Sequence, residues 1–472
     1  MLKRIFGTPA ILLIAAASAG AQTAAETQNI LNRLDRLESE NRRLSEEITE
    51  LKNELAAARA NAETQTANQP AVAAVPNSAG AASQVAGGEI QKPSVSERLD
   101  VEETRTAELD QKKVESSQKM PVQLTGMLLF NAFSNGASSG TNLVDPVVAS
   151  STAGQHLTGA TFRQTVLGLR FFGPQLPGGG KVSGSVYMDF FGGTIQPNNN
   201  LFRLRLATIN LAWKNTTLTV GQDKPIIAPR DPTSLAQVAV SPLTGAGNLW
   251  QWQPQARIEQ RFTLGDSSEI RAQAGIFESN EPANSVPAEY SSTLGVWRPA
   301  YEARVLYAYS HGNRRFEIAP GYHAGSSRVA GQSVESRAVS LDGLVRPWSR
   351  VEFTGAWFRG KNLAGLGTLR QGFTILPSDA VIPVHIDGGW GQMTITASSR
   401  WSFHFFGGVE NDRGLDLSGN GITRNFVYGG NAMWKLAPNV MASLELTQAR
   451  TTYLISGTRL NNHYDLALGY FF

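Results

Sequence analysis

The sequence predicts an all-β transmembrane barrel of about 16 antiparallel strands, preceded by an N-terminal α-helical coiled coil. Three observations carry that prediction. From Met120 onward, stretches of about ten residues with alternating apolar character repeat to the end of the chain, separated by turn residues. The last stretch puts Tyr464, Leu466, Leu468, Tyr470 and Phe472 on one face and His463, Asp465, Ala467 and Gly469 on the other, and so ends on an aromatic residue. Between Thr27 and Arg59 the apolar repeat has a different period, 3.5 residues, which is that of supercoiled helices.

The chain begins with a targeting segment. Lys3 and Arg4 precede an apolar run from Ala10 to Ala19, and Ala19-Gly20-Ala21 is a small-x-small cleavage site, so residues 1–21 read as a signal peptide removed before Gln22. The run falls short of the roughly 20 apolar residues that a spanning helix needs, and no other segment reaches that length. Any membrane embedding must therefore use strands. The mean hydropathy of −0.20 fits strands of which only alternate residues meet lipid.

The heptad has Thr27, Leu34, Asn41, Ile48 and Leu55 at a, and Ile30, Leu37, Leu44, Leu51 and Ala58 at d. Its central core is Leu34, Leu37, Asn41, Leu44, Ile48 and Leu51, and the polar Asn41 fixes register at some cost in stability. Arg33–Glu38, Glu47–Lys52 and Glu54–Arg59 are attractive pairs in a parallel arrangement. Arg33-Leu34-Asp35-Arg36-Leu37-Glu38 resembles the R-h-x-x-h-E motif of short trimeric coils, while a dimer or a lone amphipathic helix stays open on this segment alone. Residues 60–119 follow as a linker, first rich in Ala, Gln, Pro, Ser and Gly and then strongly charged.

Charge is divided unevenly. Residues 1–119 hold 14 Lys+Arg against 17 Asp+Glu, and residues 120–472 hold 28 against 22. A nucleic-acid binder clusters its basic residues; here the arginines come one per strand or turn, so no nucleic-acid partner is expected. The chain has no cysteine, which removes thiol catalysis and cysteine-based zinc sites. No H-E-x-x-H or P-loop spacing appears, and His311, His323, His385, His404 and His463 are scattered. The chain is expected to be no enzyme and to need neither cofactor nor metal.

Turns of two lengths alternate through residues 120–472. Short ones fall near Pro174–Gly180, Asn215–Thr216, Gly265–Ser268, Gly312–Asn313, Pro347–Ser349, Ser398–Arg400 and Pro438–Asn439. Long ones fall near Ser134–Ala160, Gly193–Leu201, Asp223–Gln253, Asn280–Pro299, Gly325–Glu335, Leu363–Gly389, Asn411–Thr423 and Leu454–Leu460. Together they separate sixteen strands. Short turns on the periplasmic side and longer loops outside are the usual arrangement, and an even count puts both barrel ends on the side of the coil.

A channel selects by lumen width and wall charge. The loop from Asp223 to Gln253 is the expected constriction, with Asp223, Lys224, Arg230 and Asp231 as its charged residues and an apolar run from Leu235 to Val240 that favours packing on the inner wall. Packing on a neighbouring subunit is the other reading. Strand parity turns Arg203, Arg205, Arg257, Arg261, Arg271 and Arg304 inward as a basic ladder. Each could instead pair with Glu259, Glu302 or Asp231 and leave no net field. A bulge near Ala207–Ile209 would re-aim Arg203 and Arg205.

Several pieces together resemble the DcaP-like trimeric outer-membrane porin family: a signal peptide, a coiled coil, a flexible stretch and a terminal barrel. Phe202-Arg203-Leu204-Arg205-Leu206-Ala207 followed by Leu218-Thr219-Val220-Gly221-Gln222 looks like that family's fourth-to-fifth-strand hairpin, although Asp223-Lys224 stands where the family has Trp. The resemblance implies a sixteen-stranded homotrimer that passes small anionic solutes such as dicarboxylates. The expected location is the outer membrane of a Gram-negative-type bacterium with the coil in the periplasm. Expected partners are outer-membrane lipid and, through the terminal aromatic strand, the barrel-insertion machinery. A second function reading is a structural anchor that tethers the membrane to peptidoglycan through the coil.

Overall fold

The computed structural model describes residues 121–140, 147–152, 154–193, 200–278, 281, 298–329 and 331–472. The signal peptide, the coiled coil and the linker lie outside the described residues.

Sixteen antiparallel strands close a barrel. β1 is Val122–Asn135, and β2 comes in two segments, Leu157–Thr161 and Val166–Leu176, both paired to β1. β3 (Gly180–Gly192), β4 (Leu201–Ala212), β5 (Thr216–Asp223), β6 (Gln253–Thr263) and β7 (Ser268–Glu278) follow. Then come β8 (Pro299–His311), β9 (Arg314–Val329), β10 (Gln332–Trp348) and β11 (Val351–Lys361). The circuit is completed by β12 (His385–Thr396), β13 (Trp401–Asp412), β14 (Ile422–Ala437), β15 (Val440–Tyr453) and β16 (Gly457–Phe471). β16 pairs back to β1 from Met127↔Phe471 to Asn135↔His463. Phe472 finishes the seam, its N–H donating to the Gly126 carbonyl (3.1 Å) and its carbonyl accepting from Gly126 N–H (2.9 Å). Closure removes every free edge from the sheet.

The seven short turns fall where the sequence places them. Two long loops do not. β9 and β10 run on to Val329 and Gln332, with Ser326↔Glu335 and Ser327↔Val334 still in register, and β15 and β16 run on to Tyr453 and Gly457. The polar composition that reads as loop is strand that continues past the apolar belt, and at the end of β9 and β10 its inner face is still buried, Val329 and Val334 packing on Phe373. Between β11 and β12, the residues read as open loop carry a small hairpin of their own, Phe373–Ile375 with Val381–Pro383.

Alternation sorts the wall. On β8, Tyr301, Val305, Tyr307 and Tyr309 are exposed while Ala300, Glu302, Arg304, Leu306 and Ala308 are buried. On β16, Tyr464, Leu466, Leu468 and Tyr470 are exposed while His463, Asp465 and Ala467 are buried. A continuous exposed apolar and aromatic surface of this kind belongs against lipid and not against water. The inner face is filled chiefly by the loop 224–252. Ile227, Ala228 and Leu249 pack with Phe277, Ala300, Ala338, Phe358 and Ile386. Leu243 and Ala246 pack with Trp390, Phe406, Val427 and Ala449, and Leu235 packs with Met127, Leu129, Met433 and Ala467. One loop that touches the inner faces of β1, β8, β10, β12, β13, β14, β15 and β16 lies inside the barrel.

Candidate functional site

Polar latches bind that inserted loop to the wall. β2 breaks at Phe162–Thr165, and the break turns Gln164 into the lumen, fully buried. Gln164 Nε2 donates to Ala236 O (2.6 Å), and its Oε1 accepts from Val238 N (2.8 Å) and Ala239 N (2.9 Å). Elsewhere around the wall Glu302 accepts from Ile226 N (2.6 Å), Gln392 Oε1 accepts from Thr233 N (2.7 Å), and Glu445 accepts from the Ser234 hydroxyl (2.6 Å). In several places the backbones themselves touch. Gly247, at φ 97°, lies against Gly389, and a Cβ on Gly408 would run into the Ala246 carbonyl oxygen. The glycines of β12 and β13 are thus the recess that receives the loop.

The loop fills one side of the lumen. Inward residues from β8 round to β1 are mostly buried, whereas those of β3 to β7 stay largely half-exposed. The open side of the lumen therefore lies between the loop and β3–β7. Of the six arginines placed inward by parity, Arg203, Arg205, Arg257, Arg261 and Arg271 stand on that open side, partly exposed. Arg304 does not. It is 4% exposed and forked onto a fully buried Asp342.

None of the six is without a carboxylate, but the partners are not Glu259, Glu302 or Asp231. Arg257 Nη2 meets Asp223 (2.7 Å), Arg261 meets Glu269 (3.6 Å), and Arg271 also meets Glu269. Asp231 instead pairs with Lys224, Glu259 accepts from Gln273 (2.8 Å), and Glu302 caps the loop backbone as described. Arg230 reaches from the loop to Asp342 (2.8 Å) and to Glu317. Burial works against its charge, and the hydrogen bonds from those two carboxylates overcome it and raise the pKa. Lys224 goes the other way: burial lowers its pKa to about 8, against the attraction of Asp223.

One cluster has a surplus of charge. Asp189, fully buried on β3, binds Arg203 through Oδ1 (3.1 Å) and Oδ2 (2.6 Å) and Arg205 through Oδ2 (3.2 Å). The bulge expected near Ala207–Ile209 sits two residues earlier. Tyr187 pairs with Leu206 and Met188 with Leu204, so Arg205 is the extra residue and both arginines reach the same carboxylate. Arg163, from the break in β2, is the third guanidinium here, interacting electrostatically with both Asp189 and Arg203. Two rings complete the group. Phe191 lies 4.7 Å from Arg163 and 5.4 Å from Arg203, and Trp252 lies 5.2 Å from Arg203 and 4.8 Å from Arg205. The rings cover guanidinium faces, while edge donors of Arg203 go to Asp189 and the Ala239 carbonyl and those of Arg163 to the Phe190 and Gly192 carbonyls. Sequence reasoning missed Arg163, Asp189, Phe191 and Trp252. Asp189 has a visible signal, as the one acid of its strand.

Gly136-Ala137-Ser138-Ser139-Gly140 has the spelling of a nucleophile elbow, but it forms turns after β1, tied by Ser139 N to Gly136 O (3.3 Å) and Ser150 N to Ser138 O (2.7 Å). The strand-to-helix setting of such an elbow is not met among the described residues.

No family model matches the chain, and no curated protein matches it by sequence. Solved structures do match. The outer membrane channel DcaP of Acinetobacter baumannii superposes with a TM-score of 0.60 at 15% identity, over 74% of this chain and 97% of that one. An anion-selective porin from Comamonas acidovorans gives 0.49 at 12%, over 74% and 99%, and OmpT of Vibrio cholerae gives 0.46 at 8%, over 74% and 97%. At these identities the likeness is one of fold: the described residues form a closed sixteen-stranded antiparallel barrel similar to that of the DcaP channel.

Proposed function

We propose that the protein is a passive outer-membrane channel that favours small anionic solutes, carboxylates foremost. The observation that carries this is the group of three guanidiniums, Arg163, Arg203 and Arg205, around the single carboxylate of Asp189, on the side of the lumen that the loop leaves open. Three positive charges against one leave a net positive field where the path is narrowed. A buried charge pair turned neutral would carry no such field. Arg257, Arg261 and Arg271 extend the wall, each partly offset by Asp223 or Glu269. The inserted loop, with Asp223, Lys224, Arg230 and Asp231, acts as the constriction. A solute carboxylate would exchange water for bidentate donors step by step along the cluster.

The functional unit proposed is a homotrimer with its N-terminal coil in the periplasm. Sedimentation of the full chain in detergent measures this, and a monomer would refute it. The channel itself is tested by single-channel recording in a salt gradient. The expected reversal potential is anion-selective. A cation-selective potential would sink the charge assignment, and absence of conductance would sink the channel.

A further inference from the structure

The outward face of β13 to β16 sorts its side chains by height. β14 begins and β15 ends at the long-loop rim, and their other ends meet in the short turn at Pro438–Asn439. Cross-strand register makes rows. Phe426–Arg450–Leu460 lies nearest the rim, then Tyr428–Gln448–Asn462, then Gly430–Leu446–Tyr464, then Ala432–Leu444–Leu466. Arg424 stands above them, its guanidinium 6.0 Å from the Phe426 ring.

The upper rows are cationic and polar. Arg450 Nε and the Tyr428 hydroxyl both donate to Gln448 Oε1 (2.8 and 2.7 Å), Arg450 Nη2 donates to the Tyr428 hydroxyl (3.3 Å), and Gln448 Nε2 donates to Asn462 Oδ1 (2.8 Å). The lower rows are apolar and grooved. Gly430 places no side chain between Phe405 and Leu446, which leaves a groove of about 540 Å³ walled by Phe403, Phe405, Leu444, Leu446 and Tyr464. The six arginines that parity turns inward all have carboxylates. Among the described residues Arg424 and Arg450 have none, and the outward-facing acid of the neighbouring strand pair, Asp387, accepts from Asn411 (3.1 Å).

We propose that this face docks a phosphorylated, acylated lipid of the outer leaflet, with Arg424 and Arg450 on its phosphate and the Gly430 groove around an acyl chain. Charge and shape point the same way. Two uncompensated guanidiniums sit at headgroup height, directly above a dry groove at acyl height. A free phosphate would leave the groove empty. A second copy of the barrel docked through this same face would bury the guanidiniums with no acid of the patch to meet them, which is costly. The assignment of height rests on the outer-membrane reading above. It does not rest on the lumen or its selectivity.

Native mass spectrometry of the full chain in detergent tests it, with bisphosphorylated lipid A as probe and dephosphorylated lipid A, phosphatidylglycerol and inorganic phosphate as comparators. The expected result is retention of the bisphosphorylated lipid alone. In the double variant Arg424→Ala/Arg450→Ala its affinity should fall about tenfold or more, as loss of charge-assisted hydrogen bonds predicts. Unchanged single-channel conductance of that variant shows that the barrel is intact and separates this test from that of the channel. Leu446→Cys gives the cysteine-free chain one thiol in the groove. Coupling a bulky maleimide there should block retention. Equal binding of dephosphorylated lipid or of phosphatidylglycerol, wild-type binding by the double variant, or a disulfide between two copies through Leu446→Cys would each overturn the proposal.

Discussion

Arg304 forks onto Asp342 through Nε to Oδ2 (2.7 Å) and Nη2 to Oδ1 (2.8 Å), a buried bidentate pair on adjacent-but-one strands of the wall. The same Oδ1 accepts from Arg230 Nε of the inserted loop (2.8 Å). One carboxylate thus compensates a wall arginine and a loop arginine together.

Asp342→Ala leaves two guanidiniums without their shared acid. Removing one partner of a buried ion pair costs about 3–5 kcal/mol. The variant barrel should unfold at lower urea in lipid or detergent, and its recordings should show added current noise as Arg230 releases the loop. Wild-type urea stability would contradict the structural role.

The Asp189 cluster makes opposed predictions for its acid and its bases. Arg203→Ala/Arg205→Ala should cut anion preference, and Asp189→Asn should raise it. A unit charge near 4 Å is worth about 1 kcal/mol even when fully water-screened, or roughly fivefold in permeability ratio. Reversal potentials read both, and the same direction in both variants would refute the field argument.

Lys224 makes selectivity depend on pH. Its pKa is lowered to about 8, so it is charged at pH 7 and neutral at pH 9. Anion preference should therefore fall as pH rises across that range, and Lys224→Gln should abolish the step. Stability moves oppositely. The unfolded chain, with the lysine at its ordinary 10.5, binds the proton that the folded chain has given up, so this group adds stability as pH climbs from about 8 to 10.5.

Gly408→Val places a branched side chain against the Ala246 carbonyl. Overpacking a filled contact costs about 1–3 kcal/mol. Here relief comes by lifting the loop off β13 toward β3–β7, into the open side of the lumen, so single-channel conductance should fall. An unchanged conductance would mean the loop does not set the bore.

Much of this barrel is legible in the chain. The turn residues space the strands, and parity turns Tyr301 outward and Arg304 inward as found. What parity cannot give is the partner of an inward charge. Asp342 meets Arg304 across 38 residues, and Asp189 meets Arg205 across 16. Both pairings depend on stagger, which a local pattern does not contain. Arg163 was hidden for another reason. It lies in the four-residue break of β2, where alternation stops because Gln164 turns in to hold the loop.

Asn131 of β1 donates through one amide group to Leu235 O of the loop (2.9 Å) and to Asp465 Oδ1 of β16 (3.0 Å). The first strand, the last strand and the lumen filling meet at that nitrogen. β1 and β16 lie far apart in the chain and come together only when the sheet closes, so the loop's final anchor does not exist until then. Assembly consequently has an order built into it: the latches on β8, β12 and β15 can form on an open sheet, and the one at Asn131 locks only as the barrel shuts.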